Sequence, residues 1–163
     1  MEERNFDIVQ VSETCALIDF GNKISEDINK TIRILCEYLD MKSFYGLIEY
    51  IPYFSSVSLI YDPLKIKGKE SFKFVKEKVE DILLNLDFSH DYTENIVEIP
   101  VYYGGKFGPD IEHVAEVNNI TVDDVINIHS NGKYLVYMIG FAPGFPYLGG
   151  LSEKLRTPRR KTP

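Results

Sequence analysis

Phe6 to Val11 and Cys15 to Phe20 form two apolar-rich runs around a Ser-Glu-Thr turn, a pattern that predicts two short strands, the second ending at Gly21. A helical period follows. Ile24, Ile28, Ile32, Leu35, Cys36 and Leu39 share one face, Ser25 stands at the cap position, and Glu26 and Asp27 suit the positive N-terminal end. Gly46 to Ile51 and Ser55 to Tyr61 are dense in β-branched and aromatic residues and predict two more strands, with Pro52 as a break between them and Asp62-Pro63 ending the second. Lys69 to Leu86 carries the plainest helical stripe, with Phe72, Val75, Val79, Ile82, Leu83 and Leu86 on one side and Lys and Glu on the other. The order of strand pair, helix, strand pair, helix predicts an α+β unit with both helices on one face of an antiparallel sheet.

The polar stretch Phe88 to Asn95 marks a boundary, so the expected division is an N-terminal α+β domain over residues 1–89 and a second domain over 96–163. Ile96 to Tyr102 alternates through Val97, Ile99 and Val101 and predicts a strand that Pro100 confines to a sheet edge or a bulge. Two short helices flank Asn118-Asn119. Pro109 suits the first helical position of one, and Thr121 with Asp123 and Asp124 suits the start of the other. Their spacing imitates a DNA-binding helix-turn-helix, but Asp123 and Asp124 sit at the base-reading end, where they would repel phosphate. The turn Ser130-Asn131-Gly132 then leads into a strand over Lys133 to Ile139. From its end runs GFAPGFPYLGGL, Gly140 to Leu151, where glycine and proline together predict an irregular, shaped loop. Its Phe141, Phe145, Tyr147, Leu148 and Leu151 call for burial against a partner or a ligand, so the candidates are a core-packed loop and a binding loop.

The 163 residues, 44% of them hydrophobic and 13% aromatic, suffice for one domain or two small ones with packed cores. A formal net charge of -7 argues against a general nucleic-acid partner. No apolar run is long enough to span a bilayer and Met1 to Gln10 has no signal-peptide core, which sets the expectation of a cytoplasmic protein without membrane contact. Cys15 and Cys36 lack companion histidines at metal-ligand spacing and read as buried free thiols, and no metal site is expected. His129, at a helix end, fits either a structural role beside the helix C-terminus or a catalytic one. Arg156, Arg159, Arg160 and Lys161 surround Pro158 and form a candidate anion clamp against the alternative of a solvated tail. No GxxxxGK[ST], GxGxxG or HExxH motif is present.

In order along the chain stand Gly104-Gly105, Gly108-Pro109-Asp110, His129-Ser130, Gly140-Phe141, Pro143-Gly144-Phe145, Tyr147-Leu148-Gly149-Gly150-Leu151 and Pro158-Arg159-Arg160. This series resembles the family of the 5-oxoprolinase B-subunit, also described as allophanate hydrolase subunit 1, which includes KipI-type kinase inhibitors and is of carboxyltransferase subdomain C/D type. The resemblance implies a cyclophilin-like β-barrel for the second domain. Members continue past the Pro-Arg segment with further strands, so the expectation for a chain ending at Pro163 is an incomplete barrel, inactive alone, either as a fragment of a longer protein or with the remaining polypeptide supplied elsewhere. The resemblance further implies a bacterial subunit that acts with companion subunits C and A to open 5-oxoproline to glutamate, using ATP with Mg²⁺. It places Arg159 and Arg160 at an anionic group, and lines a substrate or phosphate pocket with Gly140, Phe141, Pro143, Gly144, Phe145 and Tyr147. Asp110 and His129 are the implied proton-handling residues, Asp110 being equally placed to cap the helix that Pro109 begins. The alternatives within the same family are inhibition of a sporulation histidine kinase and hydrolysis of allophanate.

Overall fold

In the computed structural model the described residues are 6–66, 70–87 and 95–159. Its first unit, Met1–Tyr92, is built on a four-stranded antiparallel sheet of β1 (Asp7–Ser12), β2 (Cys15–Asp19), β3 (Leu47–Pro52) and β4 (Ser56–Tyr61) in the order β1-β2-β4-β3. Register puts Ile8 opposite Ile18, Ile18 opposite Val57, and Ala16 opposite Leu59, so period-two alternation sends these side chains to one face. On that face lie α1 (Glu26–Met41), through Ile32, Leu35 and Leu39, and α2 (Ser71–Asn85), through Val75, Val79, Ile82 and Leu83. Each such side chain, fully buried, contributes about 1.5–3 kcal/mol of hydrophobic transfer energy, which is why the helical stripe seen in the sequence became the contact stripe. One local reading needs correction: Ile24 precedes α1 and is exposed. Pro52 does mark the end of a strand, as the last residue of β3, opposite Val57 on the sheet edge, where its missing N–H costs nothing. Cys15 and Cys36 are free thiols, half-buried rather than buried.

In the second unit, Thr93–Pro163, α3 (Ile111–Asn118) and α4 (Val122–Ser130) pack through Ala115 and Val125 onto Leu155, with Ile111, Val114, Val122 and Ile128 around them. The sheet of this unit, among the described residues, is the antiparallel hairpin β5 (Leu135–Ile139) with β6 (Pro146–Gly149). These strands close no barrel. The mixed helix and antiparallel-sheet class read from the sequence is therefore observed, with three differences in detail. Ile96 to Tyr102 is irregular, not a strand, and Ile96, Val97, Ile99, Val101 and Tyr102 are all exposed, because no described strand lies alongside to complete a ladder. Pro109 lies outside α3, whose N-cap is Asp110. The segment 140–151 is not irregular throughout, since Pro146 to Gly149 pairs with β5 in the register Ile139 to Pro146 and Leu135 to Gly149.

Candidate functional site

His129 is placed by the way α4 begins. Thr121 Oγ1 accepts the Asp124 N–H at 3.1 Å while Asp124 Oδ2 accepts the Thr121 N–H at 3.0 Å and its hydroxyl at 2.6 Å, a reciprocal cap. Those bonds, led by the Thr121 hydroxyl, hold the Asp124 carboxyl below its usual range. Asp124 is thus engaged in starting a helix. Four residues after the cap Val125 is buried, and His129, four residues further, falls on the same face in the last turn. That face fronts an open hollow of about 330 Å³ whose walls include Tyr103, Phe107, Ile111, Val114, Leu151 and Leu155 beside Val125 and His129.

The imidazole is gripped on two sides by aromatic rings. Tyr103 meets it edge-on, with ring centres 5.7 Å apart and planes at 78°, and its Oη lies 2.6 Å from His129 Nδ1. Tyr134 packs at 5.3 Å and donates its hydroxyl to the His129 carbonyl oxygen at 2.9 Å. Burial, with Tyr103 nearby, pushes the Tyr134 phenol above its ordinary value. In a largely apolar wall such an imidazole is a polar group whose orientation is fixed, the usual arrangement for recognising a small ligand or moving a proton.

Other residues singled out in the sequence lie elsewhere. Asp110 is exposed, and with φ −99° and ψ −3° it has a helical rather than an extended backbone, so its side chain makes no capping bond to α3. Gly140, Phe141, Pro143, Gly144, Phe145 and Tyr147 form the turn and first strand residues of the β5–β6 hairpin, and none of them lines the hollow. The turn closes on itself: the N–H groups of Gly140, Ala142 and Phe145 donate to Phe145, Gly140 and Ala142 carbonyls at 3.0, 2.7 and 3.0 Å. Phe141 occupies the left-handed region at φ 63° with 91% of its surface exposed, contrary to the burial its type suggests. Phe145 lies edge-on between Phe141 and Tyr147, at 5.7 and 5.5 Å. Arg156 reaches Glu153 at 3.5 Å on the open surface, Arg159 is exposed beyond Pro158, and Arg160 and Lys161 fall outside the described residues. Among the described residues no three His, Cys, Asp or Glu side chains stand together as a metal site, and no helix is long and apolar enough to cross a membrane.

Tyr103 and Tyr134 were not among the residues singled out from the sequence. Tyr103 lies 26 positions before His129 and carries no spacing signal, whereas Tyr134, five positions after it across a turn, was within reach of a local argument.

Comparison with known proteins gives the site its setting. Residues 6–163 match the family model described as carboxyltransferase domain, subdomain C and D. The chain is 42% identical over 164 residues to the 5-oxoprolinase B-subunit of Bacillus subtilis, covering 97% of this chain and 68% of that protein. It is 31% identical to the 5-oxoprolinase B-subunit of Escherichia coli O157:H7, covering 94% of this chain and 67% of that protein. Among solved structures, that of TTHA0988 superposes with a TM-score of 0.72 at 29% identity, over 90% of this chain and 28% of that chain. The chain thus spans about two thirds of the length of the two 5-oxoprolinase relatives and about a quarter of TTHA0988. It belongs to the carboxyltransferase subdomain C and D family, in company with the B-subunits of 5-oxoprolinases.

Proposed function

We propose that this protein is the B component of an ATP-dependent 5-oxoprolinase, opening the ring amide of 5-oxoproline to glutamate together with companion subunits C and A. The observation that carries this reading is the 42% identity, across 97% of the chain, to the 5-oxoprolinase B-subunit of Bacillus subtilis. A ring amide is a poor electrophile, and the reading calls for ATP with Mg²⁺ to activate its carbonyl oxygen. Among the described residues no cluster fits a metal ion, so no step through that cofactor is assigned to this chain.

This chain's own residues supply recognition. In this reading the hollow receives the apolar methylenes of the ring, and His129, the imidazole in its wall, handles a proton or a hydrogen bond at the amide. Arg159 and Arg160 take the anionic group, a carboxylate or a phosphoryl oxygen, through the paired donors of guanidinium. Asp110 is the second proton-handling candidate. The exposed aromatic row Phe141, Phe145, Tyr147 presents a ligand- or partner-facing surface at the hairpin tip.

The test is reconstitution. The protein mixed with its companion subunits, ATP, Mg²⁺ and 5-oxoproline should release glutamate, and omitting it should abolish release. Glutamate release that is unaffected by omission, with inhibition of a histidine kinase or consumption of allophanate instead, would overturn the proposal.

A further inference from the structure

The contact between Tyr103 and His129 specifies more than packing. At 2.6 Å, Oη and Nδ1 share one hydrogen, and two arrangements are open: the phenol donates to a bare Nδ1, or Nδ1–H donates to the phenol oxygen. The second leaves the Tyr103 hydroxyl proton in need of another acceptor. Among the described residues Tyr103 Oη has no other hydrogen-bond partner, and the neighbouring Tyr134 hydroxyl is spent on the His129 carbonyl oxygen. A neutral phenol also holds its proton and donates it well, while a neutral imidazole has one nitrogen that can only accept.

We infer that Tyr103 is a positioning residue that donates its hydroxyl to Nδ1 of His129, fixing the ring proton on Nε2 and making His129 a hydrogen-bond donor rather than a base toward the hollow. Nε2 has no hydrogen-bond partner among the described residues, which leaves that N–H for a ligand. A donor of this kind suits a carbonyl or phosphoryl oxygen on which negative charge develops, and a prefixed ring needs no reorganisation at that moment. The identity of the acceptor rests on the proposed function; the tautomer does not.

Long-range ¹H–¹⁵N correlation spectra of the imidazole-labelled protein report which nitrogen carries the proton. His129→Gln identifies the resonances to follow. The wild-type spectrum at a pH where His129 is neutral should show a bare, hydrogen-bonded Nδ1 and a protonated Nε2. Tyr103→Phe removes the hydroxyl and keeps the ring, so the Nδ1 resonance should move to that of a nitrogen without a donor. Tyr134→Phe, whose hydroxyl serves the backbone, should leave Nδ1 in place. A proton on Nδ1 in the wild type, or an Nδ1 resonance that ignores Tyr103→Phe or responds equally to Tyr134→Phe, overturns the inference. Should Tyr103→Phe fail to fold, the wild-type spectrum decides alone. Failure of the 5-oxoprolinase reading appears as absent turnover with this spectrum unchanged, so the two can be told apart.

Discussion

Cys36 is held as a thiol. Burial first, then Asp40 and Glu37, pushes its pKa from 9.0 to about 12. Because the thiolate is the nucleophile, Cys36 should resist alkylation at pH 8 in the folded protein and react promptly after denaturation, as mass spectrometry of modified peptides would show. Equal labelling in both states would mean that the side chain is not shielded. The raised pKa also sets a sign for stability. The native state holds this proton more tightly than the unfolded chain, so the contribution is whole below pH 9.0 and is lost as the pH climbs through about 12. Denaturant midpoints measured across that window should fall less steeply for Cys36→Ala than for the wild type.

Arg159 is the second residue to test, because exposure alone does not separate a clamp from a solvated tail. Replacing Arg159 by Lys keeps the charge and removes the fork, so paired recognition predicts a loss on the order of tenfold in kcat/KM for the reconstituted complex. A change of less than twofold by that measure would assign Arg159 to the surface. At this scale the sequence marked His129 and the arginines as chemistry-bearing but could not say what touches them. The hydroxyl on His129 comes from a residue 26 positions away, and the exposure of Phe141 follows from a turn geometry that residue type does not encode.

Elements were legible where periodicity was strong and neighbours were local. Of the stripe read from the sequence, Val75, Val79, Ile82 and Leu83 are buried on α2, while Phe72 and Leu86, the latter just past the helix end, are half-buried against the same core. Legibility failed where pairing is decided at long range. The alternating 96–102 stretch lacks a described neighbour, and within 140–151 the prolines and glycines concealed a strand, since Pro146 is its first residue, a position that tolerates the missing N–H. The glycines there have a specific cause. Gly150 sits at φ 99°, and a Cβ on it would lie 2.7 Å from the Lys133 carbonyl oxygen. Gly150→Ala should therefore cost about 2 kcal/mol from the left-handed backbone, with the backbone clash added. The check is a urea midpoint monitored by the aromatic signals of the second unit; an unchanged midpoint would show that the hairpin end relaxes freely.

The whole molecule divides into two units with separate buried clusters. The first encloses a sheet and both of its helices, a complete layer pair, so a segment from Met1 to about Ser89 should fold alone and melt in one cooperative transition. A broad, probe-dependent transition would show that this core needs the rest of the chain. Among the described residues of the second unit, Ala115, Val125 and Leu155 form the buried centre, and large apolar side chains lie on its surface. Composition foretold ample apolar content but not this uneven division, because counting residues cannot say which surfaces find a partner.

We propose that the hollow beside His129 is where a substrate meets this chain. The most direct measurement is steady-state glutamate release by the complex reconstituted with His129→Gln, set against the wild type at matched complex concentration. Loss of the imidazole should lower kcat by roughly a hundredfold or more, the usual range for removing a fixed donor to a developing negative charge, with assembly intact by size-exclusion chromatography. Wild-type kcat and KM from the assembled His129→Gln complex would contradict the account.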